Sequence, residues 1–173
     1  MTSTPVQPLE AAAASDFRTM MSGFPTGVTV VTAYTPEGAP CGMTCSAVCS
    51  VTLEPPTLLA CLRNGSGTLA AALATGSFAV NLLHDGARRT AELFGSQAPD
   101  RFAYVPWRAT ARGAGPGLFE DAHAVADCRV TAAHHVGSHT VILGQVLHVV
   151  LESTSGPLLY GLREYAAWPP FRL

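Results

Sequence analysis

The chain has 173 residues, of which 48% are hydrophobic and only 13% charged, and 12 acidic against 10 basic side chains give a formal net charge of −2. That length supports one well-buried core rather than two, and the apolar excess is of the kind that self-association buries. The absence of a Lys/Arg run excludes the basic stripe that a nucleic-acid partner requires, and with no secretory leader and no run near the roughly 18 apolar residues of a membrane span, a cytoplasmic protein is expected.

Residues 1–14 combine Pro5, Pro8 and an alanine run without apolar periodicity, and read as a mobile arm ahead of a single domain over 15–173. Ser15 or Asp16 is placed to cap a helix in which Phe17, Met20, Met21 and Phe24 follow the spacing of a buried face, with Gly23 and Pro25 ending it. Val28 to Tyr34 is β-rich and closes in the turn Thr35-Pro36-Glu37-Gly38, so Cys41 to Thr52 is expected as its hairpin partner, broken by Pro55-Pro56. A third strand follows over Thr57 to Arg63. Ser66 then caps a helix through Leu73 that Gly76 stops, and Phe78 to Leu83 is again extended. A short helix over Arg88 to Phe94 leads into a Gly- and Pro-bearing stretch, 95–121, whose length marks it as functional. Two long strands, Ala124 to Val136 and Thr140 to Leu151, meet at Gly137-Ser138, and a short strand lies near Leu158 to Tyr160. Strands joined by turns with only short helices between them point to a mainly β fold, a closed antiparallel barrel more than a doubly wound sheet.

Within Gly42 to Pro56, Thr44, Ser46, Ser50 and Thr52 fall at even offsets and share one face of an extended chain, while Cys45, Val51 and Leu53 face the other way. A hydroxyl removed from water without a partner costs about 1–3 kcal/mol, so such a face is either solvated or bonded to a polar ligand. Of the five cysteines, Cys41, Cys45 and Cys49 are four apart, and no ligand spacing joins them to Cys128 and His134-His135. They read as reduced, buried thiols, with zinc the sharper alternative and no metal expected.

The run Phe24-Pro25-Thr26-Gly27-Val28-Thr29-Val30-Val31-Thr32, then Gly42 to Ser46, then Ser50 to Pro56 resembles the flavin reductases that supply reduced flavin to two-component monooxygenases. Phe78-Ala79-Val80-Asn81-Leu82-Leu83, Asp100-Arg101-Phe102 with Trp107, and Val136-Gly137-Ser138-His139 before Ile142-Leu143-Gly144-Gln145-Val146 follow in the family's order, so the resemblance spans about 17–165. It implies an antiparallel Greek-key split β-barrel of the FMN-binding type and a homodimer with flavin near the subunit interface. It also implies an NAD(P)H-dependent flavin reductase that takes FAD or FMN, with NADH or NADPH as co-substrate, and serves a flavin-dependent monooxygenase component.

By the same resemblance Thr26, Thr44, Cys45 and Ser46 line the flavin ring and ribityl chain, and Ser50, Val51 and Thr52 follow toward the phosphate. Asn64, Ser66, Thr68 and Leu69 complete the phosphate site, where a capped helix N-terminus offers unpaired amides; an ordinary capped helix is the plainer alternative. His139 is assigned to nicotinamide placement, although Ser138 stands where the family has an acid, and a packed or surface histidine is the alternative. Phe94 and Phe102 shield the flavin or pack in the core; Arg163 contacts flavin or nucleotide, or pairs with Glu164 on the surface. No acid or base residue is required, because hydride transfer needs chiefly placement. A flavin-binding module without reductase activity, and an oxidoreductase that retains FMN for its own substrate, are the competing functions.

Overall fold

The computed structural model describes residues 11–152 and 155–168, so most of the expected arm, 1–10, lies outside the described residues. The fold is mostly β, with three short helices, α1 (Ala14–Ser22), α2 (Gly67–Thr75) and α3 (Arg88–Gly95). A seven-stranded antiparallel sheet holds β2 (Thr29–Tyr34), β3 (Pro40–Cys45), β4 (Val48–Leu53), β5 (Pro56–Arg63), β6 (Ser77–Leu83), β9 (Ala122–Val136) and β10 (His139–Leu151), in the order β3-β2-β6-β9-β10-β5-β4. A three-stranded sheet of β1 (Thr26–Gly27), β11 (Leu158–Gly161) and β12 (Glu164–Ala167) flanks it, and β7 (Arg108–Ala109) pairs with β8 (Pro116–Gly117).

The single strand expected over 41–52 is in fact two. β3 pairs with β2 at one edge of the large sheet and β4 pairs with β5 at the other, joined only by Ser46 and Ala47. So short a link forces the sheet to curl: the Cys61 N–H donates to the Ala47 carbonyl at 2.9 Å, and the Cys45 thiol reaches the Cys61 carbonyl at 3.5 Å. Among the described residues no ladder joins β3 to β4, so the antiparallel sheet curls without a hydrogen-bonded closure between those two edges. The even-offset face breaks at the same point, leaving Ser50 and Thr52 exposed on the far edge.

α2 follows its sequence signals. Ser66 accepts from the Leu69 N–H at 3.3 Å, and Gly76 takes the left-handed conformation (φ 72) that ends a helix without a Cβ clash. Its Leu69, Ala71 and Ala72 pack with Val31, Leu62, Phe78, Val80 and Ile142 in one core cluster; Val28, Val30, Leu83, Phe94, Leu118 and Leu158 form a second. β9 and β10 pass close to Phe78, where a Cβ at Gly144 would collide with the ring. α1 departs from expectation. Its cap is Ala13 without a side-chain bond, and Phe17, Met20 and Phe24 are 58, 62 and 63% exposed, so the apolar stripe is not covered by the described residues.

The irregular stretch 95–121 is pinned rather than loose. Fully buried Asn81 donates to the carbonyls of Val30 (3.0 Å) and Pro116 (3.4 Å) and accepts from the Leu118 N–H at 2.8 Å. Buried Asp127 accepts from the Thr110 hydroxyl and from the N–H groups of Arg112 and Ala114. Phe94, Phe102, Trp107 and Tyr34 form a chain of edge or tilted ring contacts 5.0–6.4 Å apart that ties this stretch to α3 and β2. No described helix is long and apolar enough to cross a membrane.

Candidate functional site

Three depressions share lining residues and adjoin one another. The first, about 420 Å³, is walled by β3 (Cys41 to Thr44), the end of β5 and start of α2 (Arg63 and Gly65 to Thr68), the end of α3 with Ser96 and Gln97, Arg101, and His139. A small second one, about 120 Å³, lies between Val28, Thr44, Ser46, Tyr160 and Tyr165. The third, about 510 Å³, is lined by Phe17, Arg18, Met21 and Phe24 of the α1 segment, by Thr26 and Ser46, and by Tyr160, Gly161 and Arg163 of the β11–β12 hairpin. Thr44 is common to the first two, and Ser46 with Tyr160 to the last two, so together they make one groove.

Its two ends differ in chemistry. The first carries Arg63, Arg101 and His139 and no carboxylate in its lining. The Arg101 guanidinium is held by the carbonyls of Phe94 (3.0 Å) and Ser96 (3.3 Å) and lies 5.8 Å over the Phe94 ring, which fixes its reach. The Arg63 guanidinium has no hydrogen-bond or ion-pair partner among the described residues. Arg63 faces His139 across the β5–β10 ladder, so both project to the same face. With Ser66 capping Leu69, helix geometry leaves the Gly67 and Thr68 N–H groups directed beyond the helix end. The far end is aromatic, with Phe17, Phe24 and Tyr160; Tyr165, in the small middle depression, lies 5.0 Å from Tyr160 and tilted, and burial, reinforced by the nearby Glu92 charge, pushes its hydroxyl up.

The sequence candidates distribute unevenly over this groove. Thr44, Ser66, Thr68, Phe94 and His139 meet at the cationic end, and Thr26, Ser46 and Arg163 at the aromatic end. Several are already committed to the fold. The Thr44 hydroxyl donates to the Ala91 carbonyl at 2.7 Å and holds α3, which leaves the groove only its lone pairs and methyl. Asn64 donates to the Gly137 carbonyl at 3.0 Å and accepts from Thr140 at 2.8 Å, bracing the turn that carries Ser138 and His139. The Ser138 hydroxyl and the His139 Nδ1 are 2.9 Å apart and hydrogen-bonded.

Cys45 and Leu69 are buried, each 6% exposed; Phe94 is buried at 1% and packs on Phe102, which does not line the groove. Ser50, Val51 and Thr52 lie on exposed β4 and line none of the three depressions. Sequence reasoning missed Arg63, and it noted Arg101 only as part of a triplet. The signal for both is the same: arginines in a low-charge chain, one ending a strand before a glycine turn and one beside a packed phenylalanine. Cys41 lines the cationic end, and burial pushes its thiol up, while buried Cys128 is pushed up to about 12.

Residues 21–169 match the flavin reductase like domain family. The chain belongs to this family. It is 51% identical over 157 residues to a flavin reductase (NADPH) of Lentzea aerocolonigenes, covering 91% of each chain. Among solved structures it is similar to the NADH:FAD oxidoreductase of Streptomyces globisporus, studied with NAD and FAD fragments, with a TM-score of 0.84, 28% identity, and coverage of 94% of this chain and 98% of that one. A homologue of nitrilotriacetate monooxygenase component B from Mycobacterium thermoresistibile has a TM-score of 0.83 at 35% identity, covering 92% of this chain and 90% of its own.

Proposed function

We propose that this chain is an NAD(P)H:flavin oxidoreductase that reduces FMN or FAD and releases the reduced flavin to a monooxygenase component. The observation that carries this is the groove with two chemistries. Its cationic end, with two arginines, a histidine, a helix N-terminus and no lining carboxylate, suits phosphates; its aromatic and hydroxyl-bearing end suits a planar polar ring. The donor set therefore fits a flavin nucleotide with a pyridine nucleotide beside it.

Bound flavin supplies the hydride acceptor, and the residues of the chain supply placement. Gly67 and Thr68 N–H groups with Arg101 would fix phosphate oxygens, Ser46 and Thr26 would bond the ring edge, and His139, held by Ser138 and by the Asn64 brace, would meet the pyridine nucleotide at the cationic end. Hydride transfer itself needs no acid or base residue. The curled sheet, with β3 and β4 at opposite edges, is consistent with a split barrel of the FMN-binding, Greek-key type. The uncovered α1 stripe of Phe17, Met20 and Phe24 adjoins the aromatic end, which supports a homodimer that closes the groove across that stripe.

The test is oxidation of NADH and NADPH by purified protein with excess free FMN or FAD in air. Many turnovers per protein, scaling with free flavin, are expected. Flavin that binds without nucleotide turnover would leave a binding module, and flavin that survives gel filtration with slow turnover of added flavin would indicate a fixed cofactor.

A further inference from the structure

The cationic end of the groove carries more positive charge than one flavin phosphate requires, and the surplus is gathered on one wall. On the α3 side the Arg101 charge bears on the Cys41 thiol, which lies 3.9 Å from the Gly67 carbonyl, so Arg101 and the start of α2 form one group. A helix N-terminus contributes roughly half a positive charge and Arg101 a whole one, which together offset most of the about −1.5 to −2 on a phosphate monoester. Arg63 and His139 form a second group, on the β5–β10 wall.

This second pair is built into the fold. Arg63 and His139 stand directly opposite in an antiparallel ladder, a placement that brings Cβ atoms to about 4.5–5.5 Å and in which like charges are destabilising. Asn64 fixes their register. Its backbone N–H donates to the Ser138 carbonyl at 3.0 Å, its side chain donates to the Gly137 carbonyl at 3.0 Å, and its side-chain oxygen accepts from the Thr140 hydroxyl at 2.8 Å. Ser138 engages the His139 ring at Nδ1, which leaves Nε2 outside that bond. Arg63 has no partner among the described residues, and no carboxylate lines the depression to balance it. Both side chains are exposed and end their strands, a rim position that suits a terminal phosphate better than one within a nucleotide's chain.

We propose that Arg63, with His139 opposite, is the specificity-determining site for the 2′-phosphate of the pyridine nucleotide, so that this chain takes NADPH in preference to NADH. This rests on the flavin-reductase reading of the groove, with the flavin phosphate at α2 and Arg101. NADPH differs from NADH only by that monoester on the adenosine ribose, and the planar guanidinium can meet it with two parallel charge-assisted bonds. Because Arg63 is exposed, NADH leaves it solvated and not stranded, so NADH is still used and the preference is on the order of tenfold.

The experiment titrates NADP⁺ and NAD⁺ by calorimetry into the full chain saturated with FMN, and in parallel measures kcat and KM for NADPH and NADH, for wild type, R63Q and R63K. Wild type is expected to bind NADP⁺ about tenfold more tightly than NAD⁺. R63Q is expected to raise Kd for NADP⁺ and KM for NADPH about tenfold more than the values for NAD⁺ and NADH, with kcat for NADPH within about twofold of wild type; R63K retains part of the preference. An equal loss for both nucleotides in R63Q would place Arg63 on the shared pyrophosphate. A loss of FMN affinity, read by fluorescence quenching, as large as that for NADP⁺ would place it on the flavin phosphate, and wild type that binds the two nucleotides equally would leave the rim pair without this ligand. Each of these three results would overturn the inference. A preference for NADP⁺ without turnover of NADPH and FMN would overturn the reductase reading alone, because calorimetry needs no turnover; failure to bind FMN and either nucleotide would overturn both.

Discussion

Ser66 offers a way to separate helix order from anion binding. Its hydroxyl caps α2 through the Leu69 N–H at 3.3 Å, the first turn of that helix holds no acid, and Gly67 and Thr68, whose N–H groups lie at the free helix end, line the cationic end of the groove. Ser66→Asp keeps the cap, since Asp is as good an N-cap as Ser and gains about 0.3–1 kcal/mol from the helix dipole. The urea midpoint should therefore hold or rise. The same carboxylate would stand beside a flavin phosphate carrying about −1.5 to −2 charges. At roughly 5 Å the repulsion runs from about 1 kcal/mol at the dielectric of water to about 6 kcal/mol at an effective value near 20. Ser66 is partly exposed, so the lower part of that range applies, and a loss of about 2 kcal/mol, roughly 30-fold in affinity, is expected. Ser66→Ala does the reverse: it loses about 1 kcal/mol of cap and adds no charge. Quenching of flavin fluorescence gives the dissociation constants, with riboflavin, which lacks the phosphate, as the control that Ser66→Asp should leave unaffected. A stable Ser66→Asp protein that binds FMN as wild type does, or loses riboflavin affinity equally, would refute the placement of the phosphate at α2.

Asn81→Leu should lower unfolding free energy by about 2–4 kcal/mol in urea titration, because it strips the buried Leu118 N–H of its acceptor and frees the 116–118 segment; a loss below about 1 kcal/mol would show that segment to be held otherwise. Burial, followed by the charge of His84, holds the His123 imidazole below its usual 6.5, so the unfolded chain takes the proton first as pH falls. Stability from this group is complete above about 6.5 and is lost as pH drops toward the folded value, and His123→Gln should flatten that part of the stability-against-pH curve. The paired change Phe17→Ser with Phe24→Ser should raise the dissociation constant of the proposed dimer roughly 1000-fold, at about 1 kcal/mol for each ring on each copy, read by sedimentation; an unchanged association state would place the interface elsewhere.

Where the sequence carries a local signal, the fold follows it. The Ser66 cap and Gly76 stop of α2, the Thr35–Gly38 turn and the long β9–β10 hairpin all have a residue whose own chemistry marks the boundary. Where the deciding interaction is long-range, the signal is absent. Ser46-Ala47 contains neither Gly nor Pro, so nothing local divides β3 from β4; the division comes from pairing with β2 and β5, which puts β3 and β4 at opposite ends of the sheet order. The stripe on α1 correctly shows an apolar face but not what covers it. β12 was not foreseen because Glu164–Ala167 is short and poor in β formers, and because Leu162-Arg163 is not the pair that marks a tight hairpin.

The candidate site divides along the same line. Its hydroxyl and amide residues were visible as a polar face, and several proved to be fold elements: Thr44 holds α3, Asn64 and Thr140 brace the turn before His139, and Ser66 closes α2. The guanidiniums of Arg63 and Arg163 make no bond that holds the fold, and one was missed while the other was offered a surface partner it does not take. Commitment of these groups to hydrogen bonds preorganises the groove, because the Thr44, Asn64 and Thr140 bonds join elements distant in sequence and are complete before a ligand arrives. The unpaired arginines keep their charge for what enters. Loss of a groove hydroxyl should therefore register first as stability, and loss of a groove arginine first as affinity. Arg101 stands between the two classes: two of its contacts hold the carbonyls of Phe94 and Ser96, so Arg101→Ala should register as both, whereas Arg63→Ala should register as affinity alone.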